Sequence, residues 1–264
     1  MTNFLANRYI KPGKGISKEE AEKRNYFSIL SRHFWDMIKL NLLFFLCNFI
    51  FIMLSIILSV PYIINYKEFL ETLFREKSAF IPVIPFIPFM LTGPFVAGLN
   101  YVLRSYIMQK PVFIMSDFFE NTKKNWKQGL CMSIISTLVM YVFLNAVLFY
   151  LKSNIEKMLV VYGAIVVGYL LITMYFYAYI MIVTFDMKLT KIFERAWLFS
   201  MAKLPQNLLF LIIIMVVHGI LLWYTPIIWL GLMTIVLVSW TVYTMVYNIC
   251  GVLDRYILTK SSDK

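Results

Sequence analysis

His218 is the only histidine, acid or base inside the longest apolar run of the chain, residues 204–253. An imidazole at membrane depth has two chemistries open to it: exchange of a proton or ligand, or a hydrogen bond that ties one helix to the next. The expectation is the second, a neutral histidine bonded to a neighbouring helix. Asn48, Asn100, Asn145 and Asn248 pose the same choice between a polar path and interhelical packing. Asp186 and Asp254 close two apolar runs, and the expectation is a belt of ion pairs with Arg104 or Arg255 at the same level. No carboxylate lies mid-run, which argues against proton- or sodium-coupled pumping. No phosphate-binding loop, nucleophile elbow or zinc-protease helix occurs. Cys47, Cys131 and Cys250 stand apart from one another in apolar runs and read as small buried hydrophobes. The sequence therefore implies no metal or cofactor, and a protein that is not an enzyme.

The densest set of polar and aromatic residues lies within Leu91 to Leu130. Gly93-Pro94 ends, kinks or starts a helix. From Ser116 to Lys127, Phe118, Phe119, Thr122 and Trp126 share one helical face, while Lys123, Lys124 and Lys127 take the other. Glu120 is placed to pair with Lys124. Such a helix settles in the headgroup layer with its aromatic side down; the alternative is a solvated helix docked on a neighbouring loop. A similar stripe, Leu189, Ile192, Phe193, Ala196, Trp197, Ser200 and Met201, has Lys188, Lys191, Glu194, Arg195 and Lys203 off it. A third, Phe27, Leu30, Ser31, Phe34, Trp35 and Ile38, follows a capping-box start at Ser17. Trp126, Lys123, Lys124, Lys127, Trp197 and Arg195 are accordingly the candidate contacts with membrane surface or partner. Gly93, Pro94, Asn100, Asn48 and His218 are the candidates for a substrate site or packing.

The elements that carry these residues are set by composition. In 264 residues, 61% are hydrophobic and 15% charged, far from the balance of soluble domains. A formal charge of +11 does not indicate nucleic acid, because the basic residues flank apolar runs and so face anionic lipid headgroups. The pattern predicts an all-α polytopic helical bundle with six spans, near 40–64, 78–103, 128–151, 158–185, 204–222 and 226–253. Residues 1–39 form an N-terminal segment and 254–264 a tail. The first span follows no cleavable leader and reads as its own insertion signal. Pro82, Pro85, Pro88 and Pro94 break the second span, which is tolerated at depth only where packed protein or a water-filled cavity satisfies the freed carbonyls.

Twenty of the twenty-five Lys and Arg residues fall on the side of the termini. The positive-inside rule makes that side cytoplasmic, surface helices included. Each odd-numbered span is preceded by an amphipathic segment, so three units of surface helix plus hairpin would account for the chain. The spacings of Trp35, Trp126 and Trp197 are unequal, however, and equivalent entry anchors on unrelated hairpins would look the same.

The run Thr92-Gly93-Pro94-Phe95-Val96-Ala97-Gly98-Leu99, with Arg104, Asp117-Phe118-Phe119 and Lys124-Asn125-Trp126-Lys127-Gln128, resembles the YesL-like family of bacterial integral membrane proteins, a family of unknown function. The likeness covers most of residues 27–256. It implies a bacterial cytoplasmic-membrane protein, and it carries over no catalytic residue, since none is established for the family. It also implies association with carbohydrate uptake. The expected role is an accessory or scaffold protein beside a polytopic partner such as a sugar permease, in a bilayer with anionic headgroups; a small transporter or channel with its site at the broken second span is the alternative.

Overall fold

The computed structural model describes residues 25–76, 80–153 and 156–262, with side chains to Leu253. The capping box at Ser17 and the Asp254–Arg255 pair lie outside the described side chains. All regular structure among the described residues is helical. In order, these are α1 (Tyr26–Arg32), α2 (Phe34–Ile64), α3 (Tyr66–Arg75), a 3-10 segment (Ile84–Leu91), α4 (Gly93–Ile107), α5 (Ile114–Lys124), α6 (Trp126–Lys152), α7 (Lys157–Thr184), α8 (Leu189–Ala202), α9 (Leu204–Tyr224), α10 (Pro226–Leu232), a π turn (Met233–Leu237) and α11 (Val238–Ser262). Five helices are long and apolar enough to cross a membrane, and the 3-10 segment with α4, bent by 47°, makes a sixth if counted as one span. The chain is thus a multi-pass membrane helical bundle.

The second span is irregular for the reason its prolines give. Pro85 and Pro88 cannot donate, so the chain winds as a 3-10 segment, and side chains reach over to its carbonyls. Ser55 Oγ of α2 donates to Pro85 O (2.6 Å), and Ser133 Oγ of α6 donates to Phe89 O (2.9 Å). Packed protein satisfies these two carbonyls.

α4 then becomes the axis of the bundle. Eleven of its residues are buried, from Gly93 to Ile107, and α2, α5, α6, α7 and α11 all pack on it. Two glycines permit that crowding. A Cβ on Gly93 would sit 2.1 Å from Gly129 O of α6, and one on Gly98 would meet Thr122 Oγ1 of α5 at 2.4 Å. The helix ends with Gln109 in the left-handed region (φ 53), while Lys110 N donates to Ser105 O and Gln109 N to Tyr106 O. That Schellman closure turns α5 back along α4.

Three surface helices enter spans through one junction geometry. His33 (φ −108, ψ 15), Asn125 (φ −102, ψ 14) and Lys203 (φ −116, ψ 35) separate α1 from α2, α5 from α6 and α8 from α9. Each donates to the carbonyl four residues back and accepts from the amide four residues on, so helical bonding continues through the bend. Asn65, between α2 and α3, adopts similar angles, so the bend is a general device of this chain. Aligned on the three junctions, the outward aromatics six residues earlier are Phe27, Phe119 and Trp197, and the buried residues four later are Met37, Gly129 and Asn207. Trp35, Trp126 and Trp197 occupy different registers, which explains their unequal spacing.

Two expected faces are corrected. The stripe from Phe27 to Ile38 does not form one continuous face: the helix bends at His33, Phe27 and Trp35 are each 73% exposed, and Ile29, Met37 and Leu40 pack inward. Trp126 does not share a helix with Phe118, because α5 stops at Lys124 and Trp126 opens α6. Phe118 and Asn121 are buried against the bundle, so α5 docks on α4 by one side and presents Phe119 on another. The α8 stripe holds at its centre, where Ile192, Ala196 and Ser200 are buried; Trp197 and Met201 remain exposed.

Candidate functional site

The α5–α6 bend brings Lys123, Lys124, Trp126 and Lys127 to one polar cleft of about 650 Å³. Its other walls are Tyr101 of α4, Gln128 of α6, and Ile182 to Asp186 at the end of α7. Gln128 Nε2 donates to Met187 O (3.0 Å) and so pins α6 to the connection after α7. Lys127 Nζ lies 5.7 Å from the centre of the Trp126 ring, a cation–π contact. Glu120 and Asp186 also line the cleft, yet none of the three lysines forms an ion pair among the described residues. The expected Glu120–Lys124 and Asp186–Arg104 pairs are therefore not made. Thr184 Oγ1 in the same wall is buried without a hydrogen-bond partner. The arrangement is suited to hold an anion.

A second cavity, about 510 Å³, lies farther along the same pair of helices. Phe86, Phe89 and Thr92 form one wall, α6 and α7 supply the others, and Phe193 of α8 closes an edge. Its lining is mainly apolar, with Thr92, Ser133, Ser136, Thr137 and Tyr175 as the polar members. At the basic end of the bundle, burial pushes the His33 imidazole below its ordinary range, and the ring stacks on Tyr106 at 4.3 Å.

The other candidates do not converge on one place. Gly93 and Pro94 form the crossing with α6. Asn48 and Asn100, each 1% exposed, donate to Phe44 O and Val96 O of their own helices, and their Oδ1 atoms have no partner. Asn145 accepts from Ile81 N at 2.7 Å and so holds the approach to the broken span. His218 belongs to a separate cluster: Trp229 Nε1 donates to His218 Nδ1 (3.0 Å), and His218 Nε2 lies 2.8 Å from Thr241 Oγ1. An indole can only donate, so in the neutral ring the proton sits on Nε2 and goes to Thr241. His218 thereby joins α9 to α10 and α11. Arg195, on α8 with Trp197, reaches Met187 Sδ at 3.2 Å.

Sequence reasoning passed over two asparagines that bind the bundle together. Asn41 Nδ2 donates to Met233 O (2.9 Å) and Thr234 O (2.8 Å), and its Oδ1 accepts from Ser239 N (2.7 Å), so one amide services the π turn and the start of α11. Asn207 Oδ1 accepts from Tyr177 OH (3.0 Å) and Asn248 Nδ2 (2.8 Å), joining α7, α9 and α11. The only available signal was shared position: both follow a basic junction into an apolar run.

Residues 37–146 match a family model described as Protein of unknown function, DUF624. The match runs from α2 through most of α6, and so includes the broken span, the Gly93–Gly129 crossing and the lysines of the cleft, while the cleft's α7 wall, Ile182 to Asp186, lies beyond it. No curated protein and no solved structure matches the chain.

Proposed function

We propose that this is a non-enzymatic accessory or scaffold protein of the bacterial cytoplasmic membrane, related to the YesL-like proteins, with both termini cytoplasmic. It works beside a polytopic partner such as a sugar permease. The observation that carries this reading is that most polar side chains a transport path would use are spent on packing. His218 is bonded to Trp229 and Thr241, Asn248 to Asn207 and Gln206, and Asn145 to the backbone of Ile81. The basic end, by contrast, presents lysines that form no ion pair among the described residues, beside Trp126, with Trp197 and Arg195 on α8. A second reading, a small transporter or channel, is favoured by the cavity against Phe86, Phe89 and Thr92 and by the unpartnered Oδ1 atoms of Asn48 and Asn100.

The test is purification of the tagged chain from its own host in mild detergent, with mass spectrometry of what stays bound. The accessory reading expects a stoichiometric membrane partner that is lost from the Lys123→Glu/Lys124→Glu/Lys127→Glu variant. Recovery of the protein alone in several detergents would sink that reading and turn the question to reconstituted transport.

A further inference from the structure

We propose that the paired helices α6 and α7 bind one anionic phospholipid, its phosphate in the lysine cleft and an acyl chain in the apolar cavity. The two cavities are consecutive along one ridge of α6. Gln128 lines the cleft, and Met132, Ser136 and Met140, each one helical turn farther on, line the cavity. On α7 the order is the same, with Tyr175 in the cavity and Ile182 to Asp186 in the cleft. Between them, Tyr179 OH donates to Gly129 O (3.2 Å) and joins the two helices, so the lipid lies over this bridge from one cavity to the other.

Length and charge both fit such a ligand. From Lys127 to Met140 the helix rises about 20 Å, close to the roughly 20–22 Å of one leaflet with its headgroups. Three lysines against Glu120 and Asp186 leave one net positive charge in the cleft, which one phosphodiester neutralises. Trp126 stands at the mouth, where an indole suits the headgroup layer. The deeper cavity opens sideways past Ile135 and Val139, which are both exposed, so a chain enters from the bilayer without crossing the bundle. Its volume lies in the roughly 300–1,000 Å³ range of ligand sites. This inference does not depend on a protein partner and stands or falls separately from the accessory reading.

The experiment is native mass spectrometry of the delipidated full chain in detergent, titrated with phosphatidylglycerol or phosphatidylcholine of the same acyl chains. Expected is a single high-affinity phosphatidylglycerol, bound at least about tenfold more tightly than phosphatidylcholine. Lys123→Gln/Lys124→Gln/Lys127→Gln abolishes the preference, whereas Lys188→Gln/Lys191→Gln, on lysines outside the cleft, leaves it intact. Ser136→Phe fills the cavity and weakens both lipids while keeping the preference. Glycerol 3-phosphate, which carries the phosphate and no chain, fails to displace the bound lipid. Equal binding of the two lipids, a preference that survives in a folded triple variant, or displacement by glycerol 3-phosphate would overturn the proposal.

Discussion

At the scale of single residues, Asn41 carries more of the architecture than any asparagine singled out by its setting. Its side chain meets the carbonyls of Met233 and Thr234 in the π turn and the amide of Ser239 just after it. Asn41→Leu removes three hydrogen bonds at a fully buried position, and thermal unfolding in detergent is expected to show a loss of about 2–4 kcal/mol. Asn48→Leu is the control: Asn48 bonds only within its own helix, so its replacement is expected to be neutral or mildly stabilising. Equal losses for the two variants would refute this account. Residue type alone marked Asn48, Asn100, Asn145 and Asn248, and of these Asn145 and Asn248 bridge elements. Asn41 was unreadable because nothing in its neighbourhood announces a π turn 192 residues farther on.

At the scale of elements, the long apolar helices and the proline break were legible, since hydrocarbon thickness sets the length of an apolar run and proline sets where it fails; the bends at His33 and Asn125, which carry no proline, were not. Faces were harder. A surface helix of a membrane protein has one apolar side for lipid and one for protein, and periodicity does not distinguish them; Phe27 and Trp35 turn outward while Ile29 and Met37 turn in. Gly93-Pro94 was readable as a break, but not as a crossing, because spacing along one helix says nothing of which helix lies opposite. The crossing is tight enough to test. Gly93→Ala drives a methyl into the Gly129 carbonyl and is expected to cost about 3 kcal/mol or more, or to abolish folding. Gly163→Ala, whose added methyl meets nothing within 4 Å, is expected to gain up to about 1 kcal/mol in the same unfolding assay. Comparable effects at the two sites would contradict the packing described.

At the scale of the whole molecule, orientation turns on the bent pair of Ile84–Leu91 and Gly93–Ile107. Counted as a span it gives six crossings, and both termini share a side; as a re-entrant element it leaves five, and they do not. The basic residues favour six. Green fluorescent protein is expected to fluoresce, and alkaline phosphatase to stay inactive, when fused to either terminus. Opposite behaviour at the two ends would make the pair re-entrant. The closure of α2 against the π turn also has a consequence for biogenesis. Asn41 leaves the ribosome 192 residues ahead of the first carbonyl it serves, an interval of about 10–40 s at ordinary elongation rates. During that time the first span waits in the bilayer with its amide unmet, so a nascent chain interrupted before Met233 is an open, polar-edged intermediate suited to capture by quality control.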